Sequence, residues 1–198
     1  MTAFTKYLVT FDGRDAVQAA AAIHETSKYP IWGVWVGMFG IASNELIVMT
    51  TTVSSPGFSP DSSPDRAADN LWPARTRVVS HESLRATVRP MSNEPLTRDG
   101  LYVFRSFYLD AAHIDRVVAL SQEAWQTFET STDYKTEPIG LFAPTDPAPD
   151  STMYLLTRYD GLASWSTSRN PHADARAIFR ERHALLHSTT AVATRLLV

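Results

Sequence analysis

The chain of 198 residues contains no cysteine. This absence excludes disulfide bonds, thiol catalysis and metal sites that use thiolate ligands. Glycine occurs only singly after the predicted strands, and neither a G-x-G-x-x-G pattern nor a Walker pattern is present. No G-x-S-x-G motif occurs either. We therefore expect no phosphate-cradling glycine loop and no serine nucleophile of the hydrolase type.

The chain also lacks a concentration of positive charge. Its 18 basic and 21 acidic residues give a net charge of −3, and the arginines are scattered. A nucleic-acid partner is therefore not expected. The first thirteen residues do not read as a signal peptide, and the most apolar run, 30–42, is too short to span a bilayer. We expect a soluble, cytoplasmic protein with no membrane partner.

The remaining composition is that of a globular protein, with 44% hydrophobic and 20% charged residues. A chain of this size buries about 70% of the surface that its unfolded form exposes, so it needs no metal or disulfide for stability.

The first half of the chain predicts the order β-α-β-β-α-β. Alternating apolar residues and β-branched runs indicate strands at 4–11, 31–39, 46–53 and 83–89. Asp15 or Asp12 can cap a first helix at 15–28, which ends before Pro30. Ser63, Pro64 and Asp65 read as the start of a second helix, which Pro73 divides into two pieces.

The second half repeats this order. Strands are predicted at 101–109, 138–143, 152–159 and 191–197. Asp110 is the expected cap of a helix with an apolar stripe at helical spacing, made of Ile114, Val117, Val118, Trp125 and Phe128. A short helix starts at 160–161, and a longer one is predicted at 173–187.

Each half therefore has the ferredoxin-like order, which predicts an α+β fold of two tandem repeats. We place the first repeat at 1–90, a linker at 91–99 and the second repeat at 100–198. Helices cover one face of each antiparallel sheet, and the other faces must cover each other. The expected result is an α+β barrel with its helices outside and a central cavity.

The segment YKTEPIGLF is followed by a hydrophobic strand that ends in Thr157, Arg158 and Tyr159, then by Trp165 and Arg169. This pattern resembles the NIPSNAP-type members of the dimeric α+β-barrel superfamily over residues 101–198. The resemblance implies the barrel fold, but it brings no shared set of catalytic residues. The chain departs from the family pattern in the loop 54–63 and in the loop PTDPAPDS at 144–151.

Arginine and tyrosine on the strands are the candidate site residues. An arginine beside aromatic side chains can bind a carboxylate, phenolate or enolate, and tyrosine can donate a proton. The alternative is that these arginines pair with acids at the sheet edges. The predicted catalytic residues are Arg105, Arg158, Tyr154 and His183. The predicted substrate-binding residues are Trp35, Arg85, Tyr102, Tyr108 and Phe142.

His183 and His187 lie four residues apart, and such a pair on a helix can bind zinc. The glutamate of a zincin is missing and no third ligand is indicated, so we predict no metal site. Among relatives of this barrel fold, haem-binding proteins also contain two ferredoxin-like repeats, which leaves haem as an alternative cofactor.

Three functions remain open. The first is a cofactor-independent enzyme that binds a hydrophobic, aromatic or polyketide-like small molecule in the barrel cavity; a filled, dry barrel with no pocket of ligand size would contradict it. The second is a non-catalytic binding or assembly protein that forms a homo-oligomer through apolar helix surface. The third is a haem-binding barrel protein.

Overall fold

The computed structural model describes residues 3–52 and 72–198. Eight strands are found there: β1 (Ala3–Phe11), β2 (Ile31–Phe39), β3 (Glu45–Thr52), β4 (Thr76–Ala86), β5 (Leu101–Asp110), β6 (Thr136–Pro144), β7 (Asp150–Tyr159) and β8 (Ser188–Leu197). The helices in these residues are α1 (Ala16–Thr26), α2 (Ile114–Phe128), α3 (Leu162–Ser168) and α4 (Ala173–His183). A single 3₁₀ turn, Ala111–His113, precedes α2.

The strands close into one barrel in the order β1-β3-β2-β8-β5-β7-β6-β4. Every pairing is antiparallel. Each half uses the spatial order fourth-first-third-second, and the pairs β2–β8 and β4–β6 join the two halves. The α+β architecture and the antiparallel strands agree with the prediction. The finer division into two ferredoxin-like repeats stays an interpretation, because residues 53–71 lie outside the described chain.

Both faces of the barrel wall are buried over much of their area. Inside, a cluster of aromatic and aliphatic side chains occupies the barrel centre. Outside, α1 packs Ala20 and Ile23 against β1, β2 and β3. Helix α2 packs Ile114, Val117 and Trp125 against β5, β6 and β7. Full burial of such side chains contributes about 1.5–3 kcal/mol each, so packing holds the helices on the barrel.

Several predicted boundaries need correction. Strand β4 begins at Thr76, so no second helical piece follows Pro73. The helix predicted at 173–187 ends at His183. Asp15 does cap α1, since its Oδ1 accepts from the Gln18 N–H at 3.0 Å, but the Asp110 side chain caps nothing. The predicted helix start at Ser63 and the loop 54–63 lie outside the described residues.

Within the described residues, no helix is long and apolar enough to cross a membrane.

The packing of the barrel centre can be tested at Gly140. A Cβ added there would lie 2.5 Å from the ring of Phe142, which the surrounding core holds in place. We expect Gly140→Ala to lower the free energy of unfolding by about 1–3 kcal/mol. Gly161→Ser is the matched control, because its Cβ meets nothing within 4 Å and serine suits a helix N-cap. Denaturant unfolding measures both; equal effects would contradict a filled barrel.

Candidate functional site

The barrel interior is filled by aromatic side chains. Phe4, Trp32 and Phe142 contact each other with ring centroids 5.1–5.7 Å apart. Trp35 continues this cluster and lies 5.0 Å from the Phe104 ring and 6.0 Å from the Trp32 ring. Each of these side chains is at most 3% exposed. Of three cavities in the described residues, one lies on the outer face of the barrel beside α2 and α4, and the other two are lined in part by the core residue Trp32.

The predicted barrel cavity is therefore corrected: the inward-facing residues form a core. Three of the predicted substrate-binding residues, Trp35, Tyr102 and Phe142, belong to it. Tyr102 is fully buried and donates its hydroxyl to the Arg98 carbonyl at 2.6 Å. Burial raises the pKa of the Tyr102 hydroxyl. These three side chains hold the barrel together, and a role in substrate binding stays a prediction.

Tyr154 lies in the barrel with two charged residues that the sequence analysis missed. Its hydroxyl donates to Glu82 Oε1 at 2.6 Å, and Lys6 Nζ lies 3.0 Å from Glu82 Oε2. The same ammonium group lies 4.2 Å from the centre of the Tyr154 ring. Burial, followed by the Glu82 contact, raises the pKa of Tyr154 strongly. The hydroxyl therefore stays protonated and acts as a hydrogen-bond donor.

Arg158 lies near the segment that connects β4 to β5. Its Nε donates to the Asp99 carbonyl at 2.7 Å, and its Nη1 lies 3.9 Å from Glu137. A cavity of about 650 Å³ reaches this region, and both arginines and glutamates line it. Arg89 pairs with Glu129 at 2.5 Å and Arg98 with Glu137 at 2.6 Å. Arg158 thus has partners of its own.

Two further predicted residues lie apart from these. Arg85 is partly buried on β4, opposite Ala143 of β6. Tyr108 is 37% exposed on β5, and its hydroxyl lies 3.4 Å from Thr190 Oγ1. The nine predicted site residues therefore do not converge on one place.

Arg105 and His183 are two predicted catalytic residues that the structure brings together outside the barrel core. Both line a cleft of about 400 Å³ between the outer face of β5, β7 and β8 and the helices α2 and α4. Arg105 is paired in register with Leu155 and Ala191, whereas its neighbours Phe104 and Ser106 belong to the opposite face. Strand alternation therefore places Arg105 outside the barrel.

The cleft combines basic and apolar side chains. Its basic residues are Arg105, Arg169, Arg176, Arg180, Arg182 and His183. Its apolar walls include Val103, Phe107, Trp125, Phe128, Leu155, Phe179 and Leu186. Within the described chain, no aspartate or glutamate lines it. The cleft is thus a hydrophobic site with a large excess of positive charge.

Arg182 is the buried arginine among the residues that line this cleft. Its side chain is 8% exposed, and its guanidinium lies 4.7 Å from the Phe107 ring and 4.8 Å from the Phe179 ring. Its Nη1 donates to Ser121 Oγ at 2.9 Å. No carboxylate in the described residues forms an ion pair with it. A buried cation without a counterion costs free energy, so this arrangement indicates a site that accepts an anion.

The arginines of the cleft affect each other. Burial, together with the positive charge of Arg105, lowers the pKa of the Arg182 guanidinium to about 9. Burial, together with the charge of Arg169, lowers the pKa of Arg105. The charge of Arg105 is therefore repelled by two other guanidinium groups of the cleft. An anion placed beside it would relieve both repulsions.

The sequence contained a signal for this cleft. Arg176, Phe179, Arg180 and His183 recur at helical spacing on α4, but the sequence analysis considered only His183 and His187. His187 lies beyond the end of α4, so the two histidines do not form a helical pair. Arg182 carried no such signal, because its burial depends on Phe107 of β5.

One group of residues offers metal-ligand atoms. Ligand atoms of Asp110, Asp150 and His187 lie within 4.8 Å of one another, and all three residues are exposed. His187 Nε2 is 3.5 Å from Asp110 and 3.8 Å from Asp150. Exposed charged groups commonly form such contacts without a metal, so we assign no metal to them.

No family model matches the sequence, and no curated protein matches it. Solved structures do share the fold. An anthrone oxidase-like protein is 9% identical, with 100% of this chain and 92% of that chain covered and a TM-score of 0.62. A protein assigned as a monooxygenase in Lactobacillus acidophilus is 8% identical, with 98% and 93% covered and a TM-score of 0.57.

The haem-degrading enzyme of Listeria monocytogenes is 7% identical, with 95% of this chain and 97% of that chain covered and a TM-score of 0.51. Identities this low show the fold alone. The chain therefore has an α+β-barrel fold that proteins of several activities share.

The Lys6–Glu82–Tyr154 cluster gives one prediction. Glu82→Leu leaves Lys6, which is 13% exposed, without its counterion. We expect a loss of about 1–3 kcal/mol in unfolding free energy, and we expect Lys6→Met/Glu82→Leu to recover most of it. The exposed Arg116–Glu181 pair is the control, and Glu181→Gln changes stability by less than about 0.5 kcal/mol. A double variant as unstable as Glu82→Leu would show that the pair is not coupled.

Arg182 gives a second prediction, with the opposite sign. Arg182→Met removes the uncompensated cation, while the Ser121 hydroxyl keeps its bond to the Val117 carbonyl. We expect the unfolding free energy at pH 7 to rise by roughly 1–2 kcal/mol, because the removed charge outweighs the lost aromatic contacts.

The gain should depend on pH in a defined direction. An unfolded arginine keeps its proton to above about pH 12, whereas folded Arg182 has a pKa of about 9. Between these values the wild-type protein gains stability as pH rises. The advantage of Arg182→Met is therefore full at pH 7 and smaller at pH 10. Destabilisation at pH 7, measured in anion-poor buffer, would show that Arg182 is structural.

Proposed function

We propose that the protein is a small-molecule enzyme whose substrate combines a hydrophobic body with a negative charge and binds in the basic cleft. The observation that carries this proposal is a group of arginines on aromatic walls with no acidic residue among the described lining. The substrate class is the hydrophobic, aromatic or polyketide-like molecule expected from the sequence. The site is moved from the barrel centre to the outer face of β5.

The cleft supplies the two elements that such chemistry requires. Arg105 can hold a carboxylate, phenolate or enolate, and its charge stabilises an anion as it develops. His183 lines the same cleft, and its imidazole can accept or donate a proton in general acid–base catalysis. Cofactor-free proton transfer at an activated carbon or phenol is therefore the reaction type that we propose.

The solved structures with this fold support the enzyme class only in part. They include an anthrone oxidase-like protein, a protein assigned as a monooxygenase and a haem-degrading enzyme. The first of these names fits an aromatic polyketide substrate. We also keep the NIPSNAP relationship as a hypothesis, which the sequence pattern of β6, β7 and α3 supports.

Haem binding is a second candidate function. Only part of a haem would enter a cleft of about 400 Å³, where His183 offers an imidazole, the arginines suit carboxylates and the aromatic walls suit a flat ring. Bound haem would supply redox chemistry, and His183 would hold it. After haem is added to the purified protein, a Soret band that His183→Ala removes would support this function, and the absence of the band would eliminate it.

We further propose that the protein forms a homo-oligomer, because Met38 and Phe39 expose apolar surface at the end of β2. Light scattering of the purified protein tests this, and a monomer at high concentration would contradict it.

The test of the proposed function uses tryptophan fluorescence and turnover. A panel of aromatic carboxylic acids and phenols should quench the fluorescence, because Trp125 lines the cleft. Trp125→Phe removes that signal. Arg105→Gln should weaken binding at least tenfold, since a hydrogen bond to a charged group contributes about 1.5–3 kcal/mol. Arg77→Gln, an exposed arginine on β4, is the control of equal charge change.

Catalysis is tested on the ligands that bind. Mass spectrometry should detect a product, and His183→Asn should lower kcat more than it changes KM, because a proton-transfer group acts in the transition state. Binding without turnover of any member of the panel would favour the non-catalytic alternative. If no member binds, the proposed site is wrong.

A further inference from the structure

We propose that the charged end of the cleft binds a doubly charged oxyanion of the phosphate monoester type, carried on a small apolar body. This inference rests on the proposed function and specifies the ligand class for the same cleft. It follows from the number of charges, from the buried hydrogen-bond donors and from the size of the apolar part.

The first argument is the charge balance. Arg105, Arg169 and Arg182 line the same cleft, and the charge of Arg105 is repelled by the charges of the other two. Acids that could neutralise them are occupied elsewhere: Glu181 pairs with Arg116, and Glu129 pairs with Arg89. A single carboxylate leaves most of this charge uncompensated. A dianion compensates two guanidinium groups at once, and its several oxygens can accept from both.

The second argument is that buried donors already face the cleft. Arg182 is 8% exposed and contacts two phenyl rings. Only one nitrogen of the Arg182 guanidinium, Nη1, donates to the Ser121 hydroxyl. The Thr189 hydroxyl on β8 is buried and has no hydrogen-bond partner in the described residues. Both residues line the cleft together with Arg105. Buried donors without partners are costly, and a phosphate-type group offers acceptors to all of them.

The third argument is the size and nature of the rest of the cleft. Its volume of about 400 Å³ lies at the lower end of the range for small-molecule sites. Trp125, Phe128 and Leu155 provide an apolar surface beside the arginines. The ligand body is therefore a single ring system or a short hydrocarbon, and a dinucleotide is too large.

The ionisation of the ligand provides a test that a merely basic surface would fail. A phosphate monoester loses its second proton near pH 6, whereas a carboxylate is fully charged above about pH 5. The groups facing the ligand are Arg105 of β5, Tyr159 of β7, Arg169, and Arg176, Arg180, Arg182 and His183 at α4. The same groups face either ligand, so the two ligands differ only in their own charge.

The experiment is isothermal titration of the full-length protein with 1-naphthyl phosphate, 1-naphthoate and inorganic phosphate at low ionic strength. We expect 1-naphthyl phosphate to bind at least tenfold more tightly than 1-naphthoate at pH 7.5. Between pH 5 and pH 7.5, its affinity relative to that of 1-naphthoate should rise about tenfold. Because both ligands share the naphthyl body, the ratio of their affinities reports the contribution of the second negative charge of the phosphate.

Variants separate the donors. Arg105→Gln and Arg182→Met should each weaken 1-naphthyl phosphate at least tenfold, and Thr189→Val should weaken it about fivefold. Arg77→Gln should leave the affinity unchanged. Circular dichroism of each variant confirms that a loss of binding is not a loss of folding.

The possible outcomes are distinct. If 1-naphthoate binds as tightly as 1-naphthyl phosphate with the same dependence on Arg105, this inference is overturned while the proposed function stands. If inorganic phosphate binds as tightly as 1-naphthyl phosphate, the inference that the cleft recognises an apolar ligand body is wrong. If none of the three binds while neutral naphthols do, both this inference and the anionic substrate are wrong.

Discussion

The closure of the barrel around its aromatic core is the constraint on which the rest of the structure depends. Phe4, Trp32, Trp35 and Phe142 come from β1, β2 and β6, so their contacts join strands from both halves of the chain. A small barrel of eight strands has an interior that side chains can fill, and here an aromatic and aliphatic cluster occupies it. Because the interior carries stability, we place the proposed ligand site elsewhere on the barrel.

The outer face of the second half meets this requirement because its helices do not cover it completely. Helix α2 packs closely on β5, β6 and β7, whereas α4 stands beyond the cleft and contributes arginines to it. Arg182 is oriented by two phenyl rings and by Ser121. Its charge is therefore held in place before any ligand arrives. Preorganisation of this kind reduces the entropy that binding costs, and the folded protein bears the electrostatic cost in advance.

The sequence predicts the barrel better than the site, and Arg105 shows why. In LYVFRSFYL both faces of β5 are apolar, since one faces the aromatic core and the other faces the helices. Alternation identifies the strand but cannot tell which face points inward. The sequence left open whether Arg105 shares the inner face with Tyr102 and Tyr154, and the structure places it on the opposite face from both. The sequence therefore predicted Arg105 as a candidate site residue but did not predict which side chains surround it.

Two other errors share a cause in long-range contacts. Residues 76–82, TRVVSHE, are polar because one side of β4 meets solvent, so they were interpreted as a continuation of a helix. Their pairing with β1, some seventy residues earlier, decides the strand. Arg182 lies in a charged run, RERH, which is typical of an exposed helix end. Its burial is decided by Phe107, and local pattern carries no information about that contact.

Two of the charged clusters in the described residues differ in a way that bears on the proposed function. In the barrel, Lys6, Glu82 and Tyr154 satisfy one another, so their charges are compensated within the fold. In the cleft, the arginines have aromatic neighbours and each other, and the described chain supplies no acid. Structural clusters are expected to be balanced, since imbalance costs stability. An unbalanced cluster that persists beside an open apolar surface is better explained by a ligand than by the fold. For this reason the cleft, rather than the more deeply buried tyrosine, is the site to which chemistry is assigned.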